Sequence, residues 1–279
     1  MPELRAPLLY AQGAAIPAVG FGTSSVGADC GPIVAEALRV GYRHIDTAQK
    51  YGTERGVGEG IRASGVARAD IFLTTKVTHE YLRAADFERS AEGCLKNLGV
   101  DYVDLLLVHW PNAEIPLAET MGALGRQKQR GLTRHVGVAN FNLAMLDDAI
   151  ALCPEPIVNL QTEFHPYIDP VTVHAGCVAR GIVLTGYCPL GRGMLIDDPV
   201  LAEIAKSIGR TAAQVALRWQ LQHEGVAPLP RSSNPGRIAE NLALFDFSLT
   251  ADEMRRISAL KRTGGKIADP KGRAPVWDD

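Results

Sequence analysis

RHIDTAQKYGTE, running from Arg43 to Glu54, changes character midway. Tyr42 to Ile45 is a short strand-like run that Asp46 closes, Gly52 punctuates the loop beyond it, and Glu54 opens a run of helical character. A strand yields to a helix through a loop that carries an acid and, five residues on, a phenol. That is one β/α unit with its polar groups at the strand end, where function concentrates.

The unit recurs in both directions. Strand-like runs stand at Val19 to Thr23, Tyr42 to Ile45, Ile71 to Thr75, Val103 to Val108, His135 to Val138, Ile157 to Gln161, Ile182 to Tyr187 and Val226 to Leu229. Helix-like segments lie between them, among them Pro32 to Val40, Ala85 to Leu98, Leu117 to Arg130, Leu143 to Leu152 and Thr211 to His223. Eight β runs, each followed by a helix, in a chain close to the ~250 residues typical of the class, predict an α/β fold, a closed (β/α)8 TIM barrel rather than an open sheet. Leu8 to Tyr10 and Ala15 to Ala18 flank a glycine-containing turn and predict an N-terminal β-hairpin. Two helices exceed the repeat, Pro199 to Ile208 and Ala251 to Leu260. No Pro/Gly/Ser-rich linker divides the 279 residues, so a single domain over 1–279 is expected.

Composition narrows the function class. The chain is 46% hydrophobic and 22% charged, ordinary for a globular protein with a sizeable core. Lys and Arg number 29 against 31 Asp and Glu, without a long block of one sign, so nothing favours nucleic acid or an anionic membrane. A small-molecule partner and a monomer are expected. The five cysteines, Cys30, Cys94, Cys153, Cys177 and Cys188, are odd in number and lack C-x-x-C spacing, which argues against a disulfide framework and a structural zinc. With no signal-peptide h-region and no apolar run of about 18 residues, a soluble cytoplasmic protein is expected.

In a (β/α)8 barrel, catalytic groups come from the C-terminal ends of several strands. The ionisable residues there are Asp46, Tyr51 just beyond it, Lys76 ending FLTTK, and His109 ending YVDLLLVHWP. Each has a structural alternative: Asp46 as a helix cap, Lys76 as a solvated strand end, His109 as a satisfied core histidine. Together they form a set whose pKa values can be tuned against one another. A lysine ammonium near a tyrosine favours the phenolate and lowers the phenol's pKa. Asp46 would hold Lys76 charged, Tyr51 would donate a proton to a developing alkoxide, and His109 would orient the carbonyl.

The chain resembles the aldo-keto reductase family. GFGT at Gly20, HIDTAQKYGTE at His44, TTK at Thr74, DLLLVHWP at Asp104, GVANF at Gly137, NLQTEFHP at Asn159, GYCPLGRG at Gly186 and PRSSNPGRIAENL at Pro230 appear in family order. The tail PKGRAPVWDD is similar to the bacterial branch that reduces 2,5-diketogluconate and methylglyoxal. The resemblance implies that Asp46, Tyr51, Lys76 and His109 are the catalytic tetrad, with Tyr51 as general acid, and that NADPH (NADP+ after turnover) lies across the barrel mouth. It implies that Gly22 and Thr23 border the cofactor, that Asn140 and Gln161 bond its carboxamide, and that Tyr187 stacks on the nicotinamide. Arg231, Ser232, Arg237, Glu240 and Asn241 match the adenosine end, where guanidinium forks suit a phosphate.

Ser24 and Trp110 match substrate-pocket positions. Three departures stand out: Ala139 where the family usually has serine, Ser24 where tryptophan is common, and Thr53 where asparagine is common. Trp110 is then the nearest aromatic left beside His109. GVGEG at Gly56 falls inside a helix-like segment without a strand before it, so the dinucleotide fingerprint is not met. Trp219, in ALRWQL, reads as core packing. Two alternatives to a reductase stay open, a regulatory NADPH-binding redox sensor and a Schiff-base aldolase using Lys76 as nucleophile. The latter chemistry needs a desolvated or otherwise pKa-depressed amine.

Overall fold

In the computed structural model, which describes residues 6–278, β1 (Leu8–Ala11) and β2 (Ala14–Pro17) pair as an antiparallel hairpin. Gln12 and Gly13 form its two-residue turn, both at positive φ (47° and 85°), the backbone that suits the twist of a tight hairpin. Eight parallel strands come after it: β3 (Phe21–Gly22), β4 (His44–Asp46), β5 (Phe72–Val77), β6 (Val103–Val108), β7 (Thr133–Ala139), β8 (Ile157–Glu163), β9 (Val183–Tyr187) and β10 (Val226–Pro228). They are neighbours in chain order. The Gly20 N–H donates to the Pro228 carbonyl at 3.1 Å and the Gly22 N–H to that of Pro230 at 3.0 Å. Those bonds bring the last strand back to the first, and the sheet closes into a (β/α)8 barrel.

The barrel helices are α1 (Gly31–Val40), α2 (Glu54–Ser64), α3 (Ala84–Leu98), α4 (Leu117–Gln129), α5 (Leu143–Leu152), α6 (Val171–Ala179), α8 (Ala212–Leu221) and α9 (Pro235–Glu240); α7 (Pro199–Ile208) and α10 (Ala251–Ser258) are the two surplus ones. Local chemistry explains their limits. Asp198 caps α7 by accepting from the Val200 and Leu201 amides, Pro199 occupies its first turn, and Gly209 ends it at φ 67°. Thr211 and Gln214 form a capping box at α8. β3 is shorter than the expected Val19 to Thr23, although the Gly20 and Thr23 amides still donate to the Pro228 and Asp46 carbonyls on either side. At Gly20 a Cβ would lie 2.4 Å from Leu229 Cδ2.

Two apolar regions hold the layers together. Leu105, Leu107, Val158, Val183 and Ala227 cluster with Ala11, Ala14 and Ile16 of the hairpin, which therefore plugs the N-terminal end of the barrel. A larger core between strands and helices contains Trp219, fully buried, its Nε1 donating to Ser258 Oγ at 3.1 Å. The GVGEG stretch lies inside α2 and serves packing: a Cβ at Gly58 would sit 1.9 Å from the Leu98 carbonyl, and one at Gly60 2.6 Å from that of Gly31. No helix among the described residues is long and apolar enough to cross a membrane. The barrel's C-terminal mouth is left as the functional face.

Candidate active site

Alternate residues of a strand share a face, and β4 and β5 use this to build two polar rungs inside the barrel. The lower joins His44 Nε2 to Thr74 Oγ1 at 3.0 Å. The upper joins Lys76 Nζ to Asp46 Oδ1 at 2.6 Å, with Lys76 1% and Asp46 3% exposed. Lys76 donates a second bond to the Thr47 carbonyl at 2.8 Å, and Gln161 Nε2, from β8, donates to Asp46 Oδ2 at 2.8 Å. The carboxylate is thus satisfied from two strands, as a buried charge requires.

Hydroxyls fix the loop that carries Tyr51. Thr53 Oγ1 lies 3.2 Å from Thr23 Oγ1 and 2.9 Å from Thr47 Oγ1, and Thr23 Oγ1 also donates to the Asp46 carbonyl at 3.0 Å. Thr53, where the family commonly has asparagine, is therefore the centre of a buried threonine chain. Gln49 Oε1 accepts from the Thr78 amide at 3.2 Å and ties the single helical turn Gln49–Tyr51 to the end of β5.

Lys76 Nζ stands 5.2 Å from the centre of the Tyr51 ring, which meets the His109 ring edge-on at 5.5 Å. The three side chains converge on one point of the mouth. Burial raises the Tyr51 pKa well above the ordinary phenol value, with Asp46 and Cys188 adding to the rise. The lowering expected from Lys76 is absent, because that ammonium directs its bonds to Asp46 and Thr47. Burial lowers Lys76 in turn, against the pull of Asp46. His109 is pushed down to about 3 by burial first and then by Lys76, so it is neutral at pH 7.

Asn140 couples the next three strand ends. Its Nδ2 donates to the His109 carbonyl at 2.9 Å, its Oδ1 accepts from Tyr187 Oη at 2.7 Å, and its N–H donates to the Gln161 carbonyl at 2.9 Å. It does so from a left-handed backbone, φ 62°, a strained state typical of functional loops. Ala139 beside it is fully buried among apolar neighbours of the barrel interior. Tyr187 is half-buried at the end of β9.

Further round the mouth, a Cβ at Gly22 would lie 3.8 Å from Arg231 Cβ, so the first and last strand ends meet there. Arg231 and Arg237 are exposed, and neither has a carboxylate within ion-pair distance among the described residues. Ser232 Oγ accepts from the Asn234 amide at 3.0 Å, Glu240 Oε1 accepts from Thr211 Oγ1 at 2.7 Å, and the buried Asn241 ends α9. Ser24 is exposed.

Two residues went unnoticed in the sequence. Trp277 lies edge-on to Trp110 at 6.2 Å, so a second aromatic, from the far end of the chain, stands beside it. Glu163 is fully buried at the end of β8 and receives bonds from His165, Ile267 and Ala268. A signal for it exists, since Glu163 lies two residues after Gln161 and so shares its face of the strand.

Known proteins share this fold and much of this sequence. The family model described as "Aldo/keto reductase family" matches residues 18–262. Methylglyoxal reductase DkgB of Escherichia coli O157:H7 is 39% identical over 268 residues, covering 95% of this chain and 100% of that one. A solved structure provisionally described as 2,5-diketo-D-gluconic acid reductase B superposes with a TM-score of 0.97 at 43% identity, covering 99% of both chains. The aldo-keto reductase of Bombyx mori, solved in complex with NADP, superposes with a TM-score of 0.86 at 33% identity, covering 92% of this chain and 93% of that one. Fold and sequence agree, and this chain belongs to the aldo-keto reductase family of oxidoreductases.

Proposed function

We propose that the chain reduces aldehydes and ketones to alcohols with NADPH, small dicarbonyls of the methylglyoxal or diketogluconate kind among them, and that Tyr51 is the general acid. The observation that carries this reading is the convergence of a phenol, a buried ammonium and a neutral imidazole, with the Tyr51 ring 5.2 Å from Lys76 Nζ and 5.5 Å from the His109 ring. The names of the relatives, a methylglyoxal reductase and a provisional diketogluconate reductase, support small dicarbonyls as substrates.

The residues present suit NADPH. Two exposed guanidiniums without carboxylate partners among the described residues flank a serine-rich turn, a donor set for a phosphate. The half-buried Tyr187 ring, its hydroxyl fixed by Asn140, suits stacking on a planar ring. When bound, NADPH supplies the hydride.

The remaining work belongs to the chain's own side chains. Tyr51 keeps its proton in the resting site, because burial and the nearby Asp46 disfavour the phenolate. As the carbonyl oxygen becomes an alkoxide, a far stronger base than the phenolate, Tyr51 donates its proton to it. Asp46 opposes the burial that would strip Lys76 of its charge, while Gln161 and Thr47 fix the pair. His109 donates a hydrogen bond to the carbonyl oxygen and, with its basicity near 3, is not a competing acid at neutral pH. The Schiff-base alternative finds a desolvated lysine here but no approach to it: Lys76 is 1% exposed and its Nζ is bonded to Asp46 and Thr47.

A carbonyl panel of methylglyoxal, diketogluconate and nitrobenzaldehyde, monitored by NADPH oxidation, tests the proposal. Turnover of at least one is expected. NADPH binding without turnover of any would favour the redox-sensor alternative, and borohydride trapping of Lys76 without cofactor would favour the aldolase.

A further inference from the structure

Glu163 is a carboxylate that the proposed proton transfer does not use, and its side chain is 0% exposed. Its Oε1 accepts from His165 Nε2 and from the Ile267 amide, each at 2.7 Å, and its Oε2 accepts from the Ala268 amide at 2.7 Å. A carboxylate withdrawn from water is tolerated where its lone pairs are satisfied, as they are here. Burial raises its pKa, but these donors prevail and hold it below the ordinary carboxylate value. Glu163 is therefore ionised at pH 7.

None of the three donors brings a positive charge. The Tyr167 amide donates to His165 Nδ1 at 3.3 Å, so that nitrogen carries no proton and the ring is the uncharged tautomer with its hydrogen on Nε2. No lysine or arginine lies within ion-pair distance of Glu163 among the described residues. Buried charges are ordinarily paired with an opposite one. This one is held by dipoles alone and keeps its full negative charge.

That charge stands beside the residue expected to stack on the nicotinamide. In the parallel pairing of β8 with β9, Glu163 is the register partner of Tyr187, and the Phe164 amide donates to the Tyr187 carbonyl at 3.3 Å. Adjacent strands lie about 4.8 Å apart and register partners project from one face, which sets the carboxylate next to the Tyr187 side chain. After burial, Glu163 is the charge that most raises the Tyr187 phenol, and Arg192 opposes it more weakly. Arg192 is exposed and screened by water, whereas Glu163 is not.

We propose that Glu163 sets the redox poise of the bound cofactor: its uncompensated negative charge behind Tyr187 favours the nicotinamide ring in its cationic, oxidised form and so makes bound NADPH a stronger hydride donor. The inference deepens the NADPH reading above and rests on it, with Tyr187 as the stacking residue. Its basis is a difference of one charge. The ring is neutral in NADPH and cationic in NADP+, while the phosphates, riboses and adenine are common to both, so the ratio of the two dissociation constants isolates the ring. At an effective dielectric constant of about 20, a unit charge about 8–15 Å away changes the affinity for an opposite charge by about 5- to 30-fold. At about 30 mV per tenfold for a two-electron couple, this lowers the potential of the bound cofactor by about 20–45 mV.

Dissociation constants of NADP+ and NADPH, read by quenching of tryptophan fluorescence at pH 7 and fixed ionic strength, test the proposal in wild type, Glu163→Gln and Glu163→Asp. The first variant removes the charge; the second keeps it while disturbing the same contacts. The ratio of the NADP+ constant to the NADPH constant should rise about 5- to 30-fold in Glu163→Gln and stay within about twofold of wild type in Glu163→Asp. Should Glu163→Gln fail to fold, Glu163→Met, which brings no donor against the two amides, carries the same expectation. An unmoved ratio in a folded, uncharged variant overturns the proposal. So does an equal rise in the charged and uncharged variants, which would assign the effect to lost contacts. A wild type that binds neither cofactor overturns the NADPH reading and this inference with it, whereas one that binds both but reduces no carbonyl overturns the reductase reading and leaves the ratio to decide this one.

Discussion

Lys76 Nζ and Asp46 Oδ1 lie 2.6 Å apart inside the barrel, with neither side chain more than 4% exposed. An ion pair so far from water is sensitive to the loss of either partner, since the survivor keeps its desolvation cost. Asp46→Asn should therefore lose about 3–5 kcal/mol of stability. The double change Asp46→Asn with Lys76→Met should recover part of that loss without recovering reduction, because it removes the orphaned charge as well. Urea denaturation of the three proteins checks the prediction. A single mutant within about 1 kcal/mol of wild type would mean that the charges are not paired in solution.

One rung below, His44 is fully buried and its pKa is pushed down from 6.5 to about 4, chiefly by burial. The folded-state value is the depressed one, so the neutral ring contributes its full stability above pH 6.5. That contribution is lost as pH falls from 6.5 toward 4, where the unfolded chain binds a proton that the folded chain does not. In this window stability should fall with a slope approaching about 1.4 kcal/mol per pH unit from this residue alone. His44→Gln should remove that component. Identical slopes in mutant and wild type would mean that His44 titrates normally.

Close helix packing yields a prediction of opposite signs at two glycines. In Gly58→Ala the new Cβ would meet main chain, the Leu98 carbonyl at 1.9 Å, so α2 must move away from α3; a loss of about 2 kcal/mol or more is expected. Gly93, inside α3, has nothing within 4 Å of the same atom, and Gly93→Ala should gain about 0.5–1 kcal/mol. Thermal unfolding of both variants measures it, and a tolerated Gly58→Ala would refute the packing role of GVGEG.

The barrel was readable because each β/α unit repeats a local pattern, and α7 was readable to its ends because Asp198, Pro199 and Gly209 mark them. Asp46, Lys76 and His109 were readable as strand-end ionisable groups. The electrostatics of Tyr51 was not: sequence shows a lysine near a phenol, but only the fold shows that both are buried and that the ammonium faces Asp46. The contacts of the C-terminal residues were hidden for a related reason. They join Glu163 to Ile267 and Leu143 to Asp278 across more than a hundred residues, and no periodicity records such a pairing.

At the other end of the proposed cofactor site, Arg231 and Arg237 flank the turn at Ser232. A charge-assisted bond to the 2′-phosphate contributes about 1.5–3 kcal/mol, so Arg237→Ala should weaken NADPH binding roughly 10- to 150-fold. NADH lacks that phosphate, and its affinity should change little. Dissociation constants for both cofactors at fixed ionic strength test this, and equal weakening of the two would assign Arg237 to the pyrophosphate or to structure.

Proton delivery by Tyr51 is the step on which the proposed reduction depends. Its ring makes contact with Lys76 and His109, and no hydrogen bond of its hydroxyl to another protein group is seen among the described residues, so Tyr51→Phe deletes the acid with little cost to the fold. The decisive experiment is single-turnover oxidation of bound NADPH by a carbonyl substrate in wild type and Tyr51→Phe, beside the NADPH dissociation constant of each. A rate lower by about 10²–10⁴ is expected, with cofactor affinity unchanged within about twofold. A mutant that keeps more than about a tenth of the wild-type rate would contradict this role and place the acid elsewhere.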